Sequence, residues 1–432
     1  MTDFAVATGI DDACFVANES AVRAYCRSFP AVLIHGRGAW VYDEAGGAYL
    51  DFLAGAGTLN YGHNDPRIKR AVLDYLADDG IVHSLDFYTR AKRAFLEKFR
   101  AVILEPRGLE YRIQFPSPSG ATAVEAALKL ARKVTGRSEV IAFTNAFHGM
   151  TLGALAATGS AAKRAGAGIA LAHVTRMPYD GYLGPGVDTL DYLARALDDP
   201  SSGIAPPAAF LVETVQGEGG LNVASGEWLR RLQAIARVYG SLLIIDDIQA
   251  GCGRSGAFFS FERAGLDPDL VCLAKAIGGM GLPLALLLIK PQYDQWRPGE
   301  HNGTFRGNNL AFVAGAAALD YWADARFVAS LREHGALLQA RLQTLASRYA
   351  PRCGGVRGLG LMQGLWFTEP SLAGRVSRAA FRRGLIAETC GPRDEVLKLL
   401  PPLTIDTPTL RQGLDILETA LVEATGVTPI TV

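Results

Sequence analysis

The chain has 432 residues, 49% hydrophobic and 20% charged, with lysine plus arginine equal to aspartate plus glutamate at 43 each. That length suits two or three domains with a large core, and the balanced charge gives no electrostatic footprint for nucleic acid or a membrane surface. No apolar run approaches the length of a membrane span.

The N-terminal stretch MTDFAVATGIDDACF has no basic start followed by a sustained apolar run, so no signal peptide is expected and the predicted location is the cytoplasm. Residues 1 to about 30 are polar with apolar interruptions and follow neither period. VLIHGRGAWVYDEAGGAYLDFLAGAG then alternates in the manner of strands, with Asp43 to Gly47 as a turn. His63, isolated beside Gly62, reads as a hydrogen-bonding loop residue rather than a ligand. Asp65 to Leu76 and Ala91 to Ile103 carry helical periodicity. The six cysteines, at 14, 26, 252, 272, 353 and 390, form no CxxC pair, which predicts reduced thiols and no metal site.

Phe115 to Ala121 breaks the chain before a helix in which Thr122 and Glu125 have the spacing of a capping box. Val124, Leu128, Ala131 and Val134 fall on its apolar face, and Gly136 suits its C-terminal cap. The turn Ser119-Gly120-Ala121 offers a hydroxyl, backbone N–H groups and the positive end of the helix dipole, the ingredients of a phosphate cradle. An ordinary serine-capped helix would look the same. The pattern is neither a Walker loop nor GxGxxG, which counts against mononucleotides and dinucleotides.

Four apolar runs follow, each delivering polar or aromatic residues at its end. Val140 to Phe143 leads to Phe147 and His148; Ala209 to Val212 leads to Glu213 and the glycine-flanked Glu218. Leu242 to Ile245 stops on Asp246 and Asp247, and Leu270 to Ala274 stops on Lys275, with glycines at 278, 279 and 281. With helical segments between them, these predict an α/β fold with a mainly parallel sheet and a site along one rim. Asp246 and Lys275 would then meet at one ligand. A lysine withdrawn from water can attack a carbonyl as a neutral amine, and a carboxylate facing a pyridine nitrogen keeps that nitrogen protonated. The alternative is a salt bridge at the sheet edge. The sheet is expected to end with Leu282 to Ile289. A polar segment (301–311), a helical stretch from about 309 into the 340s, the glycine-punctuated VRGLGLMQGLWF and a closing helix after Thr407 complete the chain. The expected division is an N-terminal segment 1–66 joined to a small domain, a large domain 67–320 and a small α+β domain 321–432.

The order of these motifs resembles the class III aminotransferases, pyridoxal-phosphate enzymes of fold type I, over nearly the whole chain. LLIIDDIQAGCGRSG is similar to their Asp-Glu-x-Gln-x-Gly-x-Gly-Arg-x-Gly segment, with Asp247 in place of the usual glutamate. The resemblance implies that Asp246 binds the pyridine nitrogen, Gln249 lies near the ring hydroxyl and Lys275 is the covalent anchor of pyridoxal 5'-phosphate. It implies that Ser119, Gly120 and Ala121 hold the phosphate and that Phe147 stacks on the ring. Thr304, in GTFRGN, matches a threonine that reaches the neighbouring subunit's phosphate, which implies a homodimer with shared sites. Two departures bear on substrate. Met150 stands where many members have an arginine, and Lys398, in VLKLLPPL, stands where many have the arginine that pairs with the loop glutamate, here Glu218.

AYCRSFP, TNAFHGMTLGAL, VETVQGEGG, IIDDIQAGCGRSG and EHNGTFRGNNLAF look like the diaminobutyrate–2-oxoglutarate transaminase subgroup. That resemblance implies amino transfer between glutamate or 2-oxoglutarate and the terminal position of 2,4-diaminobutyrate or aspartate 4-semialdehyde. Glu218 would receive the ammonium that must not react. In the blander alternative, Glu218 simply pairs with Lys398 and Met150 only packs. An ornithine, lysine or 4-aminobutyrate transaminase, a mutase on the same fold, or a regulatory or scaffold domain are the other readings. Neither Lys275 nor Asp246 is lost, as the last of these would have favoured.

Overall fold

The structure, a computed structural model, describes residues 11–426. Residues 1–10 and 427–432, the outer ends of the N-terminal segment and of the C-terminal domain as read from sequence, lie outside the described residues.

The apolar runs assemble as their lack of alternation demands. Val140–Phe143, Ala209–Val212, Leu242–Asp246 and Leu270–Leu273 are strands buried along their whole length, which requires cover on both faces. They lie in a seven-stranded sheet and pair in parallel. From one edge its order is Arg112–Gln114, Leu286–Ile289, Leu270–Leu273, Leu242–Asp246, Ala209–Val212, Val140–Phe143 and Val174–Met177. Leu286–Ile289 pairs antiparallel with both of its neighbours and is the reversed strand. The expectation that the sheet ends with this strand is therefore corrected. Arg112–Gln114 pairs beyond it, a three-residue strand too short to show a period.

The helix after the Ser119 turn spans Gly120–Thr135, and Ala123, Val124, Leu128 and Ala131 bury its apolar face against the sheet. Its capping box corrects the expected one. Ser119 is the N-cap, accepting from the Thr122 N–H, and the Thr122 hydroxyl accepts from the Ser119 N–H in return. Glu125 instead accepts from the Thr151 hydroxyl at 2.6 Å and the Ala154 N–H at 3.0 Å. It thereby fixes the segment that follows Phe147. Gly136 closes the helix in the left-handed region.

The long helical stretch near residue 309 is two helices. Asn309–Leu319 ends in a 3₁₀ turn, and Asp324 then caps a new helix, Ala325–Arg348, by accepting from the Arg326 N–H. The expected helix to Ile103 likewise runs Arg90–Phe99 and then widens into a π turn, Arg100–Leu104. VRGLGLMQGLWF forms the hairpin of Cys353–Leu359 and Met362–Phe367, in a sheet with Val396–Leu399 and Glu388–Cys390. The three N-terminal strands, from Leu33 to Asp51, are completed by Leu385–Ile386, so the two ends of the chain share a sheet. Asp51 accepts from the backbone N–H groups of Leu53 and Ala54 and lies 2.7 Å from His63, which accounts for that histidine within a loop. Among the described residues no helix is long and apolar enough to cross a membrane.

Candidate active site

Beyond the carboxyl ends of the parallel strands lies a cavity of about 300 Å³, the lower end of the range for ligand sites. Lys275 and Asp246 both line it, having arrived from adjacent parallel strands in which Asp246 stands opposite Cys272. Gly120 and Ala121 enter from the capped helix, Phe147 and Met150 from the strand end after Phe143, and Glu218 and Gln249 from their loops. Ser119 lines an adjoining recess together with Gly120 and Lys275. These residues are separated by as much as 156 positions in sequence (275 − 119) and meet because one sheet rim collects them.

Lys275 holds a left-handed backbone, with φ of 54°, a costly conformation for a side-chain-bearing residue that is found mainly where function fixes it. Withdrawal from water lowers its ammonium pKa, against the opposing pull of the Glu218 carboxylate. A lysine in that state has a larger share of nucleophilic neutral amine. Asp246 is buried and engaged on both oxygens. Oδ2 lies 2.7 Å from His148 Nδ1, and Oδ1 accepts from the Ile248 N–H. Burial alone would lower the His148 pKa, but the hydrogen bond and charge of Asp246 outweigh it and raise it. Glu213 stands behind the same group and accepts from the Phe147 and Gly217 N–H groups. Burial pushes its pKa up to about 7, with the neighbouring His148 pulling the other way. Asp247, the second carboxylate at the strand end, turns away from the cavity, where Ser260 donates a backbone N–H to it at 3.0 Å.

The other end of the cavity holds a chain of charges of which the sequence reading assembled only the Glu218–Lys398 pair. Lys398 is fully buried, with Nζ 2.8 Å from Glu218 Oε1 and 2.9 Å from Glu388 Oε1. Glu388 Oε2 accepts from the Tyr25 hydroxyl at 3.0 Å. Gln249 donates to the Ala56 carbonyl at 3.0 Å and to Glu218 Oε1 at 3.3 Å. Burial would raise the Glu218 pKa, but Lys398 and the more distant lysines hold it down at about 2. Lys398 thus does not line the cavity; it stands behind Glu218. Met150 is exposed at the cavity wall. Thr304 is exposed and lies outside the residues that line the cavity, its carbonyl accepting from His83 at 2.8 Å.

The residues present fit pyridoxal phosphate. Gly120 and Ala121 open a helix whose first-turn amides have no acceptor within the helix, a ready anion site. A side chain at Gly120 would press on Ile248, its Cβ 3.0 Å from Cδ1, so glycine lets the start of the helix pack closely against that residue. Gln249 Oε1 is buried without a hydrogen-bond partner, an unmet acceptor that a ligand hydroxyl can satisfy. Phe147 presents a half-buried aromatic face, with the Lys163 ammonium 4.1 Å from its ring centroid.

The chain matches known proteins along nearly its whole length. The sequence profile described as "Aminotransferase class-III" matches residues 22–421. A Halalkalibacterium halodurans protein named diaminobutyrate--2-oxoglutarate transaminase is 55% identical over 93% of this chain and 94% of its own length. A Nocardia farcinica protein of the same name is 57% identical over 94% of this chain and 93% of its own. Among solved structures, the ornithine aminotransferase of Toxoplasma gondii superimposes with a TM-score of 0.84 at 26% identity, covering 96% of this chain and 94% of that one.

Proposed function

We propose, from the premise that the chain belongs to the class III aminotransferases, that it moves an amino group between glutamate or 2-oxoglutarate and the terminal position of a short diamino acid, 2,4-diaminobutyrate. It is a pyridoxal-phosphate-dependent transaminase. The observation that carries the substrate is the Glu218 carboxylate, which lines the same cavity as Lys275 while Met150 contributes no cation there. A diamino acid presents two ammonium groups. One, as its free amine, would take the place of Lys275 on the cofactor's aldehyde carbon, and Glu218 would receive the other.

The bound cofactor supplies an aldehyde that holds amines covalently and a protonated ring that withdraws electrons from the substrate carbon. The chain does the rest. Ser119 and the amides of Gly120 and Ala121 would hold the phosphate, and Phe147 would cover a ring face. Asp246 would face the ring nitrogen, with His148 holding its Oδ2. Gln249 would offer its unmet Oε1 to the ring hydroxyl. Lys275 would anchor the cofactor and, as a free amine, would carry a proton to and from the substrate carbon through Nζ.

The test is kcat/KM for 2,4-diaminobutyrate, ornithine, lysine and 4-aminobutyrate, each with 2-oxoglutarate. The donor 4-aminobutyrate lacks the second ammonium and would leave the Glu218 charge without its ligand, a loss of about a hundredfold or more. A preference for 4-aminobutyrate would remove the diamino assignment, and a preference for lysine would remove the short-chain donor 2,4-diaminobutyrate; either leaves the transaminase. Turnover with no 2-oxo acid present would favour a mutase instead.

The same reading makes the working unit a homodimer with Thr304 reaching the partner's phosphate. Thr304 stands exposed in a region that also exposes Phe305, Phe87, Tyr88 and Ile81, apolar surface of the kind that marks an interface. Thr304→Ala should weaken cofactor retention by about 1.5–3 kcal/mol, the value of a hydrogen bond to a charged group, measured by cofactor release on dilution. A fully active monomer, seen by light scattering during assay, would overturn the shared site.

A further inference from the structure

Lys398 sits between two carboxylates rather than one. Its place on the strand Val396–Leu399 pairs it directly across an antiparallel ladder with Glu388, so the register of the sheet delivers that partner. Glu218 comes to it from a glycine-rich loop instead. The two contacts differ in kind. Lys398 donates a hydrogen bond to Glu218, whereas Glu388 Oε1 accepts none and meets Nζ as a bare ion pair. They also differ in access. The Glu218 side chain keeps 25% of its exposure, against 7% for Glu388 and 0% for Lys398. Glu388 is further held by the Tyr25 hydroxyl. The fixed carboxylate is thus Glu388, and the one that faces ligand is Glu218.

Charge follows from the count. If Lys398 had only Glu218, the pair would be neutral, and little would draw a second ammonium to that end of the cavity. Two carboxylates on one buried ammonium leave a net negative charge, and the accessible Glu218 presents it. The other nearby cations do not cancel it by contact. Lys163 lies over Phe147, and among the described residues neither it nor Lys275 forms an ion pair with Glu218.

We infer that Glu388 is a specificity-determining residue that acts through Lys398, offsetting that buried charge so that the Glu218 end of the cavity stays net negative toward the donor's non-reacting ammonium. This rests on the diamino-donor reading above. It has a consequence for the acceptor. A carboxylate of 2-oxoglutarate arriving at the same end is drawn less strongly to the lysine behind Glu218, whose charge Glu388 already offsets, so Glu388 favours the diamino acid at the expense of the dicarboxylate.

The test is Glu388→Gln in the holoenzyme, with steady-state constants for both half-reactions. The KM for 2,4-diaminobutyrate should rise about tenfold and the KM for 2-oxoglutarate should fall about tenfold, the scale of one unit charge about 6–8 Å away at an effective dielectric of about 30–40. Glu388→Asp keeps the charge and should restore both values toward wild type. A residue that merely props the fold would move both constants the same way, so parallel changes, or none, would overturn the inference. If Glu388→Gln does not fold, the double variant Glu388→Gln/Lys398→Met leaves no buried cation behind. It should retain the preference for 2,4-diaminobutyrate over 4-aminobutyrate and lose affinity for 2-oxoglutarate; loss of that preference would overturn the inference as well. A wild-type enzyme with no diamino preference would instead defeat the underlying substrate reading, before any variant is made.

Discussion

Lys275→Ala is expected to reduce transamination by about 10⁴-fold or more, because under the proposed mechanism it removes both the covalent anchor and the group that carries the proton. The fold should survive. Among the described residues the Lys275 side chain makes no ion pair or hydrogen bond, and its withdrawal from water already works against its charge. Replacing a poorly solvated, unpaired ammonium by a methyl group removes a desolvation penalty. The left-handed φ of 54° remains as a cost that alanine also bears, so thermal stability should change little. Borohydride reduction followed by peptide mapping separates this role from a simple loss of binding. The wild-type protein should carry the reduced cofactor on the peptide containing Lys275, and the variant should carry none. A variant with wild-type turnover would show that another amine anchors the cofactor.

Much of the sheet was legible because its strands are buried on both faces. Val140–Phe143, Ala209–Val212, Leu242–Asp246 and Leu270–Leu273 are short apolar runs with no competing helical period, and the residues that end them mark the rim. Arg112–Gln114 escaped because an edge strand of three mostly polar residues has no pattern to read. The helix boundaries failed for a different reason. Asp324 is a good N-cap inside a stretch whose apolar period continues on both sides, so the period concealed the break. The capping box was displaced by three residues because Ser119 and Thr122 cap each other without any acidic residue. That left Glu125 free to hold Thr151.

The site divides along similar lines. Asp246 and Lys275 could be paired because each terminates a recognisable strand, and the two strands are adjacent and parallel. Glu388 had no such signal. It lies in a three-residue strand near the C-terminus, and its importance arises from a register that only the assembled sheet defines. The pairing of Glu218 with Lys398, the blander of the two sequence readings, is present in the structure. It does not exclude a substrate role for Glu218, since the second carboxylate on the same lysine leaves negative charge to spare. His148 was visible at a strand mouth, yet its contact with Asp246 bridges 98 positions in sequence, and no spacing rule connects them.

Asp246→Asn is expected to lower kcat by about 10²–10³-fold, equivalent to about 3–4 kcal/mol of lost stabilisation. Asparagine is close to isosteric with aspartate and can keep the Ile248 N–H contact, but it carries no charge with which to hold a ring nitrogen protonated. The change also alters His148. Its raised pKa depends on the Asp246 carboxylate 2.7 Å away, overcoming burial that would otherwise lower it. With a neutral amide there, His148 should lose its proton and the buried pair its attraction. The sign of the stability effect follows. A histidine whose folded pKa lies above its unfolded value of 6.5 contributes stability fully below that pH and loses it as pH rises through the folded value. The stability gap between wild type and Asp246→Asn should therefore be widest in mild acid and narrow toward alkaline pH, whereas the deficit in kcat should persist at the pH where the gap has closed. Thermal melts and turnover measured across the same pH series separate the two effects. A kcat that recovers fully once the gap closes would mean that Asp246 serves the fold through His148 and not the ring nitrogen.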